Sequence, residues 1–303
     1  MAGSPLDKAT ASEEVRPRVP GRHGGMWGEI VTWSSEIGKV AELCKQAGDA
    51  ILRFHRLGVD VEHKADDSPV TEADRAAEEI ILAGLGEIFS GVPVVAEEAV
   101  AGGDVPRIGG RFLLVDPLDG TREFISGRRD FTVNVALVED GEPVLGVVLA
   151  PARQVLYAGE RESGAALAEI VEGRIGAWKP IQVREAAEVP PVAVASRSHG
   201  DAKTEDLLTR LSVGERISVG SSLKFCMVAC GEADFYPRFG RTMEWDTAAG
   251  QAVLSAAGGL VTHLDGTPFG YGKTDQADDV DFANPGFFAA GNRDLISRAV
   301  MQG

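Results

Sequence analysis

The stretch RFLLVDPLDGTREF, Arg111–Phe124, sets two aspartates three residues apart around a proline, directly behind four apolar residues. Phe112, Leu113, Leu114 and Val115 read as a buried strand. Asp116, Pro117, Asp119 and Gly120 then make a tight acidic turn where that strand empties. Asp-Pro by itself only opens a turn, but a turn needs neither the second aspartate nor Thr121. Strand ends are where a rigid scaffold can aim side chains into a shared cleft.

Outward from this stretch, toward the N-terminus, Ile30, Trp33, Ile37, Val40, Cys44, Ala47, Ile51 and Phe54 recur every three or four residues, a helix ended by Gly58. A turn at Asp66–Pro69 leads to Thr71-Glu72-Ala73-Asp74 and a second helix through Ala76, Ile80, Ile81 and Leu85. Strands are expected at Val92–Ala96, Arg111–Val115, Phe131–Val138, Pro143–Ala150 and Gln154–Ala158, with a hairpin at Glu139-Asp140-Gly141. After Pro190-Pro191, strands (192–196, 217–219, 234–236, 259–263) alternate with helices (201–211, 222–230, 246–257), which suggests an α/β layer. The expected division is a disordered leader over 1–26, an α+β metal-binding domain with an antiparallel sheet over 27–190, and an α/β substrate-binding domain over 191–303.

The 303 residues carry a net charge of −16, which argues against nucleic acid polymers, because there is no basic stripe to displace counterions. An anionic substrate would then need a bound cation to reverse the local sign. Three cysteines, Cys44, Cys226 and Cys230, make no disulfide framework and read as reduced thiols of a cytosolic protein. No apolar run is long enough to span a bilayer, and no basic amphipathic helix supports attachment to the inner membrane.

Four acidic positions share the same setting. Glu97-Glu98 follow the apolar run Val92–Ala96, Asp116 and Asp119 follow Leu113–Val115, Asp246 stands at the head of a helix, and Asp74 lies in the first turn of another. Each has a plain alternative: Asp74 completes a capping box with Thr71, Asp246 serves as an N-cap, and Glu97-Glu98 form a solvated strand end. Together they suit a hard cation. Mg²⁺ takes oxygen ligands and completes its shell with water and substrate phosphate. Asp116 can bridge two ions, Asp119 and Glu97 can reach one each, and the Leu118 carbonyl can serve as a neutral ligand. Gly120 lets the backbone approach closely, and the Gly120 and Thr121 amides open a short helix suited to phosphate.

Glu97-Glu98, Asp-Pro-Leu-Asp-Gly-Thr at 116–121 and Trp-Asp-Thr-Ala-Ala-Gly at 245–250 resemble the three signature segments of the inositol monophosphatase superfamily. The resemblance runs from about Trp27 to the C-terminus. It implies a layered αβαβα sandwich, α+β and α/β in character, and a Mg²⁺-dependent, lithium-sensitive phosphatase with two or three ions per site. Gly120-Thr121-Arg122-Glu123-Phe124, Gly220–Cys226, Tyr236-Pro237-Arg238 and Asn284–Phe287 are closer to the CysQ-type 3'(2'),5'-bisphosphate nucleotidases of that superfamily.

That branch implies hydrolysis of 3'-phosphoadenosine 5'-phosphate to AMP and phosphate. Carried over by residue, it implies metal ligation by Glu97, Asp116, the Leu118 carbonyl, Asp119 and Asp246, with Thr121 and Asp74 activating the attacking water. Glu97, Leu118, Asp119, Gly120, Thr121, Ser222, Lys224 and Asp246 would meet the substrate, with Arg238 and the Ser196-Arg197-Ser198 turn as weaker contacts. Glu244, two residues before Asp246, stands outside the family pattern. Two alternatives stay open: a broader inositol or sugar-phosphate phosphatase, and a non-catalytic nucleotide- or metal-binding regulator. The family includes dimers as well as monomers.

Overall fold

The computed structural model describes residues 33–57, 61–63, 69–185, 189–196 and 202–302; the expected leader and Arg197–His199 lie outside them. Eight α-helices are described among these residues: α1 Ser35–Leu57, α2 Glu72–Ile88, α3 Glu97–Ala101, α4 Thr121–Ile125, α5 Ala202–Arg210, α6 Leu223–Ala229, α7 Glu244–Ala256 and α8 Arg293–Gln302. The strands of the first half are β1 Val61–His63, β2 Pro69–Thr71, β3 Val94–Ala96, β4 Arg111–Asp119, β5 Thr132–Glu139, β6 Glu142–Ala150, β7 Val155–Glu160, β8 Gly164–Val171, β9 Arg174–Ile175 and β10 Lys179–Ile181. Those of the second half are β11 Val192–Ser196, β12 Glu215–Val219, β13 Phe235–Arg238, β14 Thr242–Met243, β15 Leu260–His263, β16 Ala283–Asn284 and β17 Phe287–Ala290.

A large sheet runs in the order β10-β8-β7-β6-β5-β4-β3, with β9 on β8. It is antiparallel except at the β3–β4 edge, where the pairing is parallel. Its central strands alternate cleanly, as a sheet buried on both faces requires. Leu113 and Val115 of β4, with Val133, Val135 and Leu137 of β5, face the cluster built by α1 and α2. Phe112, Leu114, Ala136 and Val138 face the opposite way, toward α6 and α7. Each such buried aliphatic or aromatic side chain stabilises by roughly 1.5–3 kcal/mol, enough to hold short strands in register. At the β5–β6 hairpin both Asp140 (φ 49°) and Gly141 (φ 82°) are left-handed, the backbone that a two-residue turn of matching twist needs.

The second sheet has the order β12-β11-β13-β17-β15. Here β11 is parallel to β12 and β13, whereas β17 is antiparallel to both of its neighbours. Helices α6 and α7 lie between the two sheets, and their cluster draws Phe112 and Val148 from one and Val194 and Phe287 from the other. On the far side, α5 and α8 bury Leu207, Leu208, Leu295 and Ile296 against Ala193, Phe235 and Phe288. The result is the expected αβαβα layering. Helix α7 sits almost directly on the first sheet: a Cβ at Gly146 would come 2.5 Å from the Ala249 carbonyl oxygen. No helix among the described residues is long and apolar enough to cross a membrane.

Two boundary differences from the sequence expectation bear on the site. Helix α7 begins at Glu244, not Asp246, because the Glu244 amide is fixed by the Phe282 carbonyl at 2.8 Å, a bond that no local signal announces. Strand β4 also runs past Val115 to Asp119.

Candidate active site

That extension of β4 builds the acidic turn. Asp116 pairs with Asn134 and Asp119 pairs with Thr132, so the ladder shifts between them. In a regular strand, residues three apart point to opposite faces. Thr132 and Asn134 are two apart on β5 and share one face, so the extra residue on β4 brings both aspartates to that same side. Pro117 tolerates the bulge because a bulged residue needs no ladder donor. Two carboxylates thus share one side of the sheet.

The cleft has a volume of about 280 Å³ and is lined by Glu97, Asp119, Gly120, Thr121, Lys224 and Asp246, among others. Arg122, Glu123, Ser221, Tyr236 and Arg238 complete much of its wall. Asp116 is buried beneath it. Burial, then the charges of Glu97, Asp119 and Asp246, push the Asp116 carboxyl well above the usual carboxylate range. The Asp246 carboxyl is pushed up to about 8 by burial and by the charges of Asp119 and Glu97. Burial raises Asp119 as well, against the pull of Lys224. These three aspartates are therefore destabilised as anions by burial and by the negative charges around them, and a positive charge among them would relieve them.

Their hydrogen bonds show how each is held. Asp119 Oδ2 accepts from the Ser222 amide at 2.7 Å, from Thr132 Oγ1 at 3.3 Å and from Asn134 Nδ2 at 3.4 Å. Asp116 Oδ1 accepts from the Leu118 amide at 3.0 Å, and Asp246 Oδ2 from the Met243 amide at 2.7 Å. In this conformation no three acidic, histidine or cysteine side chains among the described residues stand close enough to cage an ion. The chemistry of the donors nevertheless fits a hard cation: carboxylates and one backbone carbonyl, with no thiol or imidazole.

Thr121 heads α4 behind Gly120, whose φ of 92° favours glycine and whose would-be Cβ would sit a tight 3.1 Å from the Asp130 carbonyl oxygen. Thr121 Oγ1 lies 3.2 Å from Asp74 Oδ1 and also 3.2 Å from the Leu118 carbonyl. Asp74 is buried as the N3 residue of α2, and its Oδ2 accepts from the Thr71 amide at 2.8 Å and from Thr71 Oγ1 at 2.7 Å. Its capping role and its reach to Thr121 use different oxygens, so neither excludes the other.

Lys224, in the first turn of α6, is buried, with Nζ 2.5 Å from the Ser221 carbonyl and 5.3 Å from the centre of the Tyr236 ring. Burial pulls its ammonium down to about 8, with Asp119 opposing the shift. Ser222 sits behind the cleft wall, its hydroxyl donating to the Asp246 carbonyl at 2.6 Å and accepting from Asn134 Nδ2 at 3.1 Å. Its neighbour Ser221 faces the cleft instead.

Sequence reasoning passed over Thr132 and Asn134, whose signal was a pair of polar residues alternating with valines in an otherwise apolar strand. Glu244 points away from the cleft and is fully buried against the Gly272 and Lys273 amides at 2.8 and 2.9 Å. All three thiols are free and buried.

The layered fold and the acidic, bulged strand end define a class of phosphatase-like αβαβα proteins, and the comparisons agree. The model of the inositol monophosphatase family matches residues 33–295. The chain belongs to the inositol monophosphatase family. It is 46% identical over 251 residues to the 3'(2'),5'-bisphosphate nucleotidase CysQ of Escherichia coli (strain K12), covering 82% of this chain and 97% of that protein. It is 38% identical over 260 residues to CysQ of Buchnera aphidicola, covering 85% and 94%. The crystal structure of CysQ from Bacteroides thetaiotaomicron matches with a TM-score of 0.70 at 36% identity, covering 87% of this chain and 100% of that one.

Proposed function

We propose that this chain is a Mg²⁺-dependent 3'(2'),5'-bisphosphate nucleotidase that hydrolyses 3'-phosphoadenosine 5'-phosphate to AMP and inorganic phosphate. The observation that carries the reading is the gathering of Glu97, Asp119, Thr121 and Asp246 with Lys224 and Arg238 around one cleft. The nucleotidases it resembles at 46% identity support the choice of substrate.

Glu97, Asp116, the Leu118 carbonyl, Asp119 and Asp246 would hold the divalent ions. Bound there, such ions would neutralise the phosphoryl charge and polarise the oxygens of an in-line displacement. The chain's own residues do the rest. Thr121 Oγ1 takes a proton from the attacking water and passes its own to Asp74 Oδ1, which Thr71 keeps turned toward it. The Gly120 and Thr121 amides orient the scissile phosphate. Lys224 remains largely protonated at neutral pH, since its pKa of about 8 lies above it, and meets the second phosphate. Ser222 serves by fixing Asp119 and the α7 backbone.

The test is a comparison of kcat/KM for 3'-phosphoadenosine 5'-phosphate and inositol 1-phosphate in Mg²⁺, repeated with Li⁺. A preference for the nucleotide of roughly tenfold or more, the scale one well-placed charged contact supplies, is expected, together with inhibition by Li⁺. A preference of that size for inositol 1-phosphate makes the chain a broader monophosphatase. Tight nucleotide binding without phosphate release makes it a regulator.

A further inference from the structure

Glu244 and Lys273 form an ion pair at the root of α7, and no role in the site has been assigned to either. Lys273 Nζ donates to Glu244 Oε1 at 3.0 Å, to Asn284 Oδ1 at 3.0 Å and to the Gly270 carbonyl. All three ammonium hydrogens are thus spent. Glu244 is fully buried, and its two oxygens also take the Gly272 and Lys273 amides.

Asn284 carries the network on to the helix start. Its Nδ2 donates to the Met243 carbonyl at 2.9 Å and lies 2.9 Å from Thr247 Oγ1. Met243 is the N-cap of α7, and its amide is the group that holds Asp246 Oδ2 at 2.7 Å. Besides its own capping bonds, the first turn of α7 is tied to the segments 270–273 and 282–284 through the Glu244 carboxylate, Asn284 and the Phe282 carbonyl. The chain of contacts runs Lys273, then Glu244 and Asn284, then the first turn of α7, then Asp246.

From this connection we infer that Lys273, with Glu244, is a positioning pair that sets the aim of Asp246 and so the affinity of the site for divalent cations. The inference rests on the proposed role of Asp246 as a metal ligand. It differs from a purely electrostatic effect in sign. Removing the lysine charge leaves Glu244 as one more negative group near the cluster, which by charge alone would attract a cation more strongly. Loss of aim predicts weaker binding.

Mg²⁺ binding is measured without substrate, by calorimetry and by the ion-dependent rise in melting temperature, for the wild-type chain, Asp116→Asn, Lys273→Met and Glu244→Gln. In Glu244→Gln the shape and an acceptor oxygen are retained, but charge and aim there act in the same direction, so the double variant Lys273→Met/Glu244→Gln, in which the pair stays neutral overall, is measured beside it and is expected to bind Mg²⁺ as weakly as Lys273→Met. Wild-type chain is expected to bind Mg²⁺ saturably and Asp116→Asn to lose that binding. Lys273→Met and Glu244→Gln are expected to weaken it by roughly 10-fold or more, as outer residues around metal sites do, with kcat at saturating Mg²⁺ within about threefold of wild type. Unchanged or tighter Mg²⁺ binding in both variants, with only the metal-free melting temperature lowered, would overturn the positioning role while leaving the reading of the site intact. No saturable binding by the wild-type chain would overturn that reading, and this inference with it.

Discussion

Thr121 Oγ1 stands 3.2 Å from Asp74 Oδ1, a bond that joins the acidic turn to a helix 47 residues earlier in the chain. It links the only hydroxyl of the turn to a carboxylate whose other oxygen is already held by Thr71. A purely structural cap would need no such second partner. Thr121→Ala is therefore expected to keep Mg²⁺ binding and to lower kcat by about 10²-fold or more, the scale of general acid–base catalysis. Single-turnover phosphate release measured beside Mg²⁺ calorimetry separates the two effects.

Asp116 is buried among three other carboxylates, so its substitution should divide activity from stability. Asp116→Asn is expected to abolish phosphate release. It should also raise the melting temperature in EDTA, because a buried group that is repelled by its neighbours has become neutral. Calorimetric scans with and without Mg²⁺ give both signs in one experiment.

Lys224 lines the same cleft as Thr121, with its ammonium over the Tyr236 ring. Lys224→Ala is expected to lower kcat/KM for the bisphosphate nucleotide by roughly 10–100-fold, what a charged hydrogen bond contributes, and to change that for inositol 1-phosphate little. Equal losses on both substrates would remove it from selectivity.

Glu232, which is not among the residues lining the cleft, supplies a pH dependence of stability. Burial pushes its carboxyl up to about 6 against the pull of Arg153 and Arg184. A raised carboxyl favours the folded state while protonated, so this contribution is full below about pH 4.5 and is lost as pH rises through about 6. Glu232→Gln should flatten that slope and stabilise the protein at pH 8 by about 1–2 kcal/mol. Denaturant melts at pH 5 and pH 8 provide the comparison.

Much of this was legible in the residues. The four apolar positions before Asp116 and the paired aspartates around Pro117 located the strand and its acidic end. Helical periodicity placed α1 and α2. What escaped is non-local. The reason Asp116 and Asp119 share a face is a bulge defined only by pairing with Asn134 and Thr132. The start of α7 depends on Phe282, and the partners of Glu244 lie 28 and 29 residues away. Strand β8 begins Gly164-Ala165-Ala166, without the β-branched signal that marks its neighbours.

The central claim is that Glu97, Asp116, Asp119 and Asp246 hold divalent cations together. Its most direct measurement is a crystal of this chain grown with Mn²⁺ and examined by anomalous scattering. The account predicts strong peaks between these carboxylates, with the Leu118 carbonyl in the coordination shell, and their loss in Asp116→Asn. Peaks elsewhere, or an acidic cluster that binds no ion under conditions where phosphate is released, would contradict it.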